Sequence, residues 1–241
     1  MGEGTASADS VFARPVEHPR VLVVEGGHEE HFFATLLCAP DMQGVGPLDV
    51  QAIGGKGNIT AGLLALAKDG AWLGFYDGGH ELSLGVVRDA DECAVAAFEA
   101  VTGALRHAGF PVPAGPEQAV TGELRSEGGP TIQGVTVSVF IMPGQGRLGA
   151  LEDLCMEAVA GDPRTDCVER LFACIEEKGE AITAPPSAHK LGKARAHAFL
   201  ATQKEPDVHV GLGARKHYWP LDSPAFDPLK DFLRRLAASG R

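Results

Sequence analysis

The segment Arg20–Gly26 constrains the fold of this chain more than any other stretch. The apolar run Val21 to Val24 has no polar alternation and ends abruptly in Glu25, which two glycines follow. Such an uninterrupted run is typical of a strand buried on both faces, as in a parallel sheet. A helical pattern comes next. The sequence therefore places a carboxylate at the carboxyl end of a central strand, where open α/β sheets bind their ligands.

A second acidic cluster follows a second strand of the same kind. The apolar segment Leu84–Val87 predicts another short buried strand, and Asp89, Asp91 and Glu92 come soon after it. Hard divalent cations such as Mg²⁺ prefer oxygen ligands, and carboxylates packed together repel one another unless a cation neutralises them. Either aspartate alone is better interpreted as a solvated turn residue or the start of a helix. Acids directly after two buried strands favour a divalent-metal site.

The order of the predicted elements indicates an α/β fold. Three strand-then-helix units in succession are the signature of a parallel sheet with right-handed crossovers, with helices on both faces. We expect a flexible leader at 1–19, an α/β core at 20–160 and a mainly helical C-terminal elaboration at 161–241. The further strands are predicted at 47–53, at an edge of the sheet, and at 135–141. One further helix is predicted after the N-cap Asn58, and another has Val95, Phe98, Val101 and Leu105 on a buried face. The remaining helices are predicted from Leu151 and at 165–178, 188–203 and about 224–238. We also expect a surface connection at 111–130 and a basic loop at 211–220. The segment 68–81 is ambiguous.

Composition restricts the compartment and the partners. No stretch approaches the roughly 20 apolar residues of a membrane span, and the N-terminus lacks the pattern of a signal peptide. The five cysteines are scattered and form no CxxC pair, which favours free thiols in a reducing cytoplasm. The net charge of −11 argues against a general nucleic-acid binder, because phosphate contacts need Lys and Arg. From Pro186 onward, however, ten basic residues outnumber five acidic ones.

The joint pattern resembles the Toprim domain, which topoisomerases, bacterial primases, recombination-repair proteins and the overcoming-lysogenization-defect nucleases share. Within that superfamily the chain looks most like a small prokaryotic Toprim-like family of unknown function, related to the Toprim domains of those nucleases. The resemblance covers about residues 20–238. It rests on the order of short motifs, namely Val24-Glu25-Gly26, Gly54-Gly55-Lys56, Gly85 to Asp91, Met142-Pro143, Leu151-Glu152-Asp153 and the helix from Lys193 to Gln203. It implies a Toprim-like parallel-sheet core.

The resemblance also implies roles for individual residues. In Toprim enzymes the first glutamate is the general acid or base, and the aspartate pair binds Mg²⁺. Glu25 would then be a catalytic residue or a metal ligand, and Asp89 and Asp91 would hold Mg²⁺ or Mn²⁺. Glu152 and Asp153 extend the metal site, as in the nuclease branch, or they are first-turn residues favoured by the helix dipole.

These residues predict a divalent-metal-dependent phosphodiester hydrolase, a nuclease that acts on DNA or RNA. Lys56, Arg215 and Lys216 are the candidate contacts to the substrate backbone, although a solvated turn is an equal interpretation for Lys56. The alternative is a catalytically silent Toprim-like module that binds a metal or a partner protein from a neighbouring gene, in a defence or repair system. A third interpretation is a small-molecule phosphotransfer or nucleotide-hydrolysing enzyme. We expect no membrane partner, and a homodimer stays open.

Overall fold

A five-stranded sheet forms the centre of the computed structural model, which describes Phe12 and residues 14–179 and 190–239. The strands are β1 (Arg20–Val24), β2 (Asp49–Ala52), β3 (Ser83–Asp89), β4 (Ala119–Arg125) and β5 (Thr131–Met142). Their order across the sheet is β2-β1-β3-β5-β4. β1 pairs in parallel with β2 and β3, and β3 pairs in parallel with β5. β4 pairs antiparallel with β5 at the far edge.

Nine helices within the described residues surround this sheet. They are α1 (Gly27–Leu36), α2 (Ile59–Leu66), α3 (Gly70–Asp77), α4 (Ala94–Ala108), α5 (Leu151–Ala158), α6 (Pro163–Lys178), α7 (Leu191–Ala201), α8 (Val210–Arg215) and α9 (Asp227–Ala238). Short 3-10 segments cover Pro40–Met42, Lys56–Asn58 and Pro224–Phe226.

The sheet carries a hydrophobic core on each face, because successive side chains of a strand point to opposite sides. In β1, Leu22 and Val24 pack into a core shared with α1, α5, α7, α8 and α9. Val21 and Val23 pack into a second core shared with α2, α3 and α4. The predicted fold class is therefore confirmed: a largely parallel α/β sheet with helices on both faces and a helical C-terminal part, consistent with a Toprim-like core.

Several elements match their predictions closely. β2 lies at an edge of the sheet, and β3 extends the predicted strand at both ends, so that Asp89 is its last residue. Gly109 ends α4 with φ of 84°, the left-handed conformation that glycine adopts without strain. α7 occupies most of the predicted helix at 188–203, of which 188 and 189 lie outside the described residues.

Other elements differ from their predictions. The expected surface connection at 111–130 contains β4, whose Leu124 is fully buried against β5 while most of its neighbours face outward. The ambiguous segment contains α3, capped by the side chain of Asp69. The Asn58 side chain does not cap α2 but donates to the Gly54 carbonyl. Val95 is 67% exposed, because it lies in the first turn of α4, beyond the sheet.

The expected basic loop at 211–220 contains α8, which packs on α1. A Cβ at Gly211 would lie 2.1 Å from the His28 carbonyl oxygen, so only glycine permits this close approach. The indole of Trp219 then donates to the Val210 carbonyl. The glycines that make this helix fit are also what made the segment resemble a loop.

The described part of the expected leader packs on the rest of the chain. Val16 is buried in the second core with Phe12, and the Glu17 N–H donates to Asp49 on the edge strand β2. Arg14 also pairs with Asp49. This segment therefore covers an otherwise open sheet edge. Residues 1–11 and 13 of the expected leader lie outside the described residues.

Candidate functional site

Two predicted acids meet at the carboxyl edge of the sheet. Glu25 follows β1 directly, and Asp89 is the last residue of the neighbouring parallel strand β3. The Asp89 N–H donates to Glu25 Oε1 over 3.4 Å. The Asp89 side chain is only 3% exposed, whereas that of Glu25 is 15% exposed. The strand ends thus place one buried carboxylate beside one that reaches the surface.

Asp91 joins the same edge through a tight backbone turn. Its φ is 48°, an uncommon value for a residue other than glycine. Its backbone exchanges two hydrogen bonds with Gly149, of 2.9 and 3.1 Å. This isolated bridge holds the turn after β3 against the loop that precedes α5. Such a backbone conformation persists only where the surrounding structure holds it, and conformations of this kind cluster at functional sites.

A glycine turn brings Lys56 to this edge. The Gly55 N–H donates to the Glu25 carbonyl over 2.6 Å, and Gly55 has φ of 115°. The next residue, Lys56, places its Nζ 2.9 Å from Asp91 Oδ2. Glycine is needed here because a side chain would strain that backbone conformation. The predicted candidate Lys56 therefore does lie among the acids.

The start of α5 adds Glu152 to the group and turns Asp153 away from it. The Leu151 N–H donates to Asp89 Oδ1 over 3.2 Å, which ties the first turn of α5 to the end of β3. Asp153 Oδ2 accepts the Ala150 N–H over 2.8 Å, so its carboxylate caps the helix. The hydrogen bond to Ala150 thus supports the interpretation of Asp153 as a first-turn helix residue. Glu152 is the residue of this turn that interacts with Asp89.

Two further basic side chains face the carboxylates. Lys193, in the first turn of α7, places its Nζ 3.5 Å from Asp89 Oδ2. Arg88 Nε lies 3.8 Å from Glu25 Oε1 and has no hydrogen-bond partner among the described residues, although it is buried. Neither residue was among the site candidates predicted from the sequence. Both lie within motifs of the Toprim resemblance, Arg88 in Gly85 to Asp91 and Lys193 at the start of the helix from Lys193 to Gln203. Lys193 is 104 positions from Asp89, however, and no spacing rule pairs the two.

The directions of the pKa shifts agree with the proximity of these acids. Burial raises the pKa of Asp89 well above its usual value; Lys193 opposes the shift, whereas Glu152, Glu25 and Glu29 add to it. Burial likewise raises the pKa of Glu25, with Arg88 opposing. The pKa of Glu152 is raised by burial, with Lys193 opposing. We call the five acids Glu25, Glu29, Asp89, Asp91 and Glu152 the acidic cluster. Its basic partners are Lys56, Arg88 and Lys193.

The chemistry and the charge of the acidic cluster suit one hard divalent cation. All five acids offer carboxylate oxygens, the preferred ligands of Mg²⁺. With all groups in their charged forms, five carboxylates and three cations carry a formal charge of −2, which a divalent cation would offset. The orientation of the side chains does not match that of a bound ion. Within the described residues, no three metal-ligating side chains are arranged around a common point. Instead Asp89 faces Lys193, Asp91 faces Lys56 and Glu25 faces Arg88.

A cavity of about 320 Å³ opens beside the acidic cluster, between the end of β3 and the start of α4. Lys56, Arg88, Asp89 and Asp91 line it. A larger cavity, of about 490 Å³, lies along α1 and β2 and contains none of the cluster's carboxylates. The smaller cavity is the relevant one here, because both signs of charge converge in it.

The remaining candidates lie elsewhere. Lys216 pairs with Glu205 at 2.6 Å, and none of the described ion pairs or hydrogen bonds links Arg215 or Lys216 to the acidic cluster. His28 stacks on His209 with ring centroids 4.0 Å apart and thereby helps to hold α8 on α1. The structure therefore brings Glu25, Lys56, Asp89, Asp91 and Glu152 together, and it places Asp153, Arg215 and Lys216 in other surroundings.

Comparison with known proteins identifies the family. Within the described part of the chain, no helix has the length and apolar character needed to cross a membrane. No curated protein and no solved structure was found to match the chain. One family model, described as a protein of unknown function (DUF3226), matches residues 19–238. That match spans the sheet, every residue of the acidic cluster and both cores apart from Phe12 and Val16, and the chain therefore belongs to the DUF3226 family.

Proposed function

We propose that this protein is a divalent-metal-dependent phosphodiester hydrolase that acts on nucleic acid at the acidic cluster. The observation that carries the proposal is the convergence of Glu25, Asp89, Asp91 and Glu152, from three separate segments, at the carboxyl edge of a parallel sheet. Ligand sites of open α/β sheets lie at this edge. The Toprim resemblance, which rests on the same residues, supports the same chemistry.

Asp89, Asp91 and Glu152, with Glu25 beside them, are the residues that would hold Mg²⁺ or Mn²⁺. When bound, such an ion supplies a Lewis acid that offsets phosphate charge and makes water a stronger nucleophile. Asp153 would act indirectly, because its carboxylate is committed to the first turn of α5. We therefore assign it to holding Glu152 in place rather than to ligation.

The basic side chains provide the contacts that a phosphodiester needs. Lys56 is 61% exposed and Lys193 is 41% exposed, so both can reach an anion that approaches from solvent. Glu25 is suited to proton transfer, because burial raises the pKa of its carboxyl group toward the working pH. Arg88 lies beside Glu25 and limits that rise, which keeps the carboxyl group able to release its proton.

The direct test is a cleavage assay with plasmid, single-stranded DNA and RNA, each with Mn²⁺ or with a chelator. We expect cleavage of at least one substrate with Mn²⁺ and none with chelator. Asp89→Ala should lower the rate by at least about 10²-fold, because metal-ligating groups act mainly in the transition state. Glu176→Gln is the matched control, since it removes one exposed acid far from the acidic cluster, in the last turns of α6.

Cleavage that persists in the chelator, or that Asp89→Ala leaves unchanged, would contradict the proposal. Substrate identity follows from the same assay, since the three nucleic acids are compared at equal phosphate concentration. A contaminating nuclease is excluded if the Asp89→Ala protein, prepared in the same way, is inactive while Glu176→Gln is fully active.

A second candidate is a silent module that binds a metal or a partner protein without catalysis. The observation that favours it is that Asp89, Asp91 and Glu25 each already face a basic side chain. Thermal stabilisation by Mn²⁺ without cleavage of any substrate would support this candidate. A gene neighbour in a defence or repair system, or a second copy of the chain, is then the partner to test. Five free cysteines support a cytoplasmic location for either function.

A further inference from the structure

Lys193 faces the oxygen of Asp89 that a cation would need. Asp89 Oδ1 already accepts the Leu151 N–H over 3.2 Å, so the backbone of α5 fixes that side of the carboxylate. Asp89 Oδ2 is turned toward Lys193 Nζ, 3.5 Å away. Asp89 is almost completely buried, whereas Lys193 keeps 41% of its side chain in solvent. The lysine can therefore leave this position, and the carboxylate cannot.

The packing of α7 on α5 holds Lys193 at this point. A Cβ at Gly192 would lie 2.2 Å from Asp153 Oδ1, so any larger residue here would have to displace the Asp153 side chain. The other oxygen of Asp153 accepts the Ala150 N–H. Asp153 thus fixes the first turns of both helices. The backbone around Lys193 is set by this contact, and the movable part is the long side chain.

Lys193 interacts with three acids rather than one. Burial alone would lower the pKa of Lys193, yet Glu152, Asp89 and Asp91 together raise it. The ammonium group therefore occupies the position of a shared counter-ion for acids that come from two segments, the end of β3 with its following turn and the first turn of α5. A divalent cation at the same oxygens would repel this ammonium, and both charges would compete for Asp89 Oδ2.

We propose that Lys193 is the built-in counter-ion of the acidic cluster, which a divalent cation must displace before it can bind. Metal-free protein keeps its site closed by the Lys193–Asp89 contact. Cation binding releases the ammonium toward solvent, where it becomes available to a phosphate group of the substrate. The inference rests on the proposed function for the identity of the cation, and it adds that cation entry is gated by an internal competitor.

The experiment compares Mn²⁺ affinity in wild-type protein and in Lys193→Met, both as full chains, with free Mn²⁺ followed by electron paramagnetic resonance. Methionine keeps the length and the apolar stem of the side chain and removes the charge. We expect Lys193→Met to bind Mn²⁺ on the order of tenfold more tightly, because no competitor has to leave. Without metal, the same variant should melt at a lower temperature, and saturating Mn²⁺ should restore most of the difference.

Two controls separate local competition from a general change in charge. Lys190→Met removes the same charge from the same end of α7, at an exposed position with no described contact to the acids, and should change the affinity by less than about twofold. Lys193→Arg keeps the charge and should not tighten binding. If Lys193→Met does not yield folded protein, Lys193→Gln carries the same comparison.

Each outcome decides either the inference or the proposed function. Unchanged or weaker Mn²⁺ binding in Lys193→Met overturns the inference, even if the wild-type protein cleaves nucleic acid. Tighter binding in Lys193→Met upholds the inference, even if no substrate is cleaved and the proposed hydrolase is therefore wrong. Absence of Mn²⁺ binding in every variant overturns both.

Discussion

At the scale of single residues, the acidic cluster is a costly arrangement for the folded chain. Burial raises the pKa values of Glu25, Asp89 and Glu152, and their mutual repulsion adds to the shift of Asp89. A carboxyl group whose pKa is raised in the folded state is more easily ionised in the unfolded state. Its ionisation therefore favours unfolding, and binding sites are where proteins accept such a cost.

This cost predicts that Asp89→Asn stabilises the metal-free protein. Asparagine can still accept the Leu151 N–H through its Oδ1 but carries no charge. At pH 7, with chelator, we expect the free energy of unfolding to rise by about 0.5–2 kcal/mol, as for other stabilising changes at functional sites. Urea denaturation measures the difference.

The stability difference between Asp89→Asn and the wild-type protein should depend on pH. Above the folded-state pKa of Asp89, the ionised carboxylate destabilises the wild-type protein, and the variant keeps its full advantage. As the pH falls toward 3.8, the usual pKa of the side chain, the carboxyl group takes up its proton in the folded state first. The advantage of Asp89→Asn should then shrink. A variant that is less stable than wild type at pH 7 would falsify this account of Asp89.

The sequence predicted the acids of the site better than their basic partners. Glu25, Asp89 and Asp91 were predictable because each lies at or just after the end of a buried strand, and parallel neighbours bring such ends together. Lys193 was not predictable as their partner, because it arrives on α7 after a long excursion of the chain. The role of Asp153 in capping α5 depends on a rotamer that no sequence pattern specifies.

At the scale of secondary-structure elements, close glycine contacts decide where the helices around the site lie. α7 meets α5 at Gly192, where an added Cβ would clash with the Asp153 carboxylate. α8 meets α1 at Gly211 in the same manner. The Gly192 contact is with a side chain and the Gly211 contact is with the His28 carbonyl. Together they set the positions from which Lys193 and His28 project.

Two glycine-to-alanine changes, one at the α5–α7 contact and one in α4, should have opposite effects on the stability of the protein. Gly192→Ala should destabilise the protein by about 1–2 kcal/mol, because Asp153 must move and give up its bond to Ala150. Gly103→Ala, in the interior of α4, would place its Cβ in open space and should stabilise the protein by about 0.5–1 kcal/mol. Thermal or urea unfolding distinguishes the two, and equal effects would show that the α5–α7 contact is not tight.

The element predictions succeeded where an apolar pattern was continuous and failed where it was weak. Residues 21–24 of β1, 84–87 of β3 and 135–142 of β5 are buried throughout, and they are mostly apolar. β4 buries only part of one face at the sheet edge, and its polar and small residues resemble a surface connection. α8 contains two glycines within six residues, so its helical period is hidden. Tertiary packing decides both segments.

At the scale of the whole molecule, the fold gathers charge at one edge of the sheet. The chain has a net charge of −11, which by itself would repel a polyanionic substrate. The acidic cluster adds to that repulsion in metal-free protein, although Lys56, Arg88 and Lys193 offset part of it. Our proposal therefore requires a cation before nucleic acid can approach this edge.

The most direct test of this account is a Mn²⁺ titration of the wild-type protein beside Asp89→Asn and Asp91→Asn, followed by electron paramagnetic resonance. We predict one saturable Mn²⁺ site per chain in the wild-type protein and in the Glu176→Gln control, and affinity weakened at least about tenfold in both aspartate variants. Wild-type protein that binds no Mn²⁺, or aspartate variants that bind it as tightly as wild type does, would contradict the claim that the acidic cluster is a metal site.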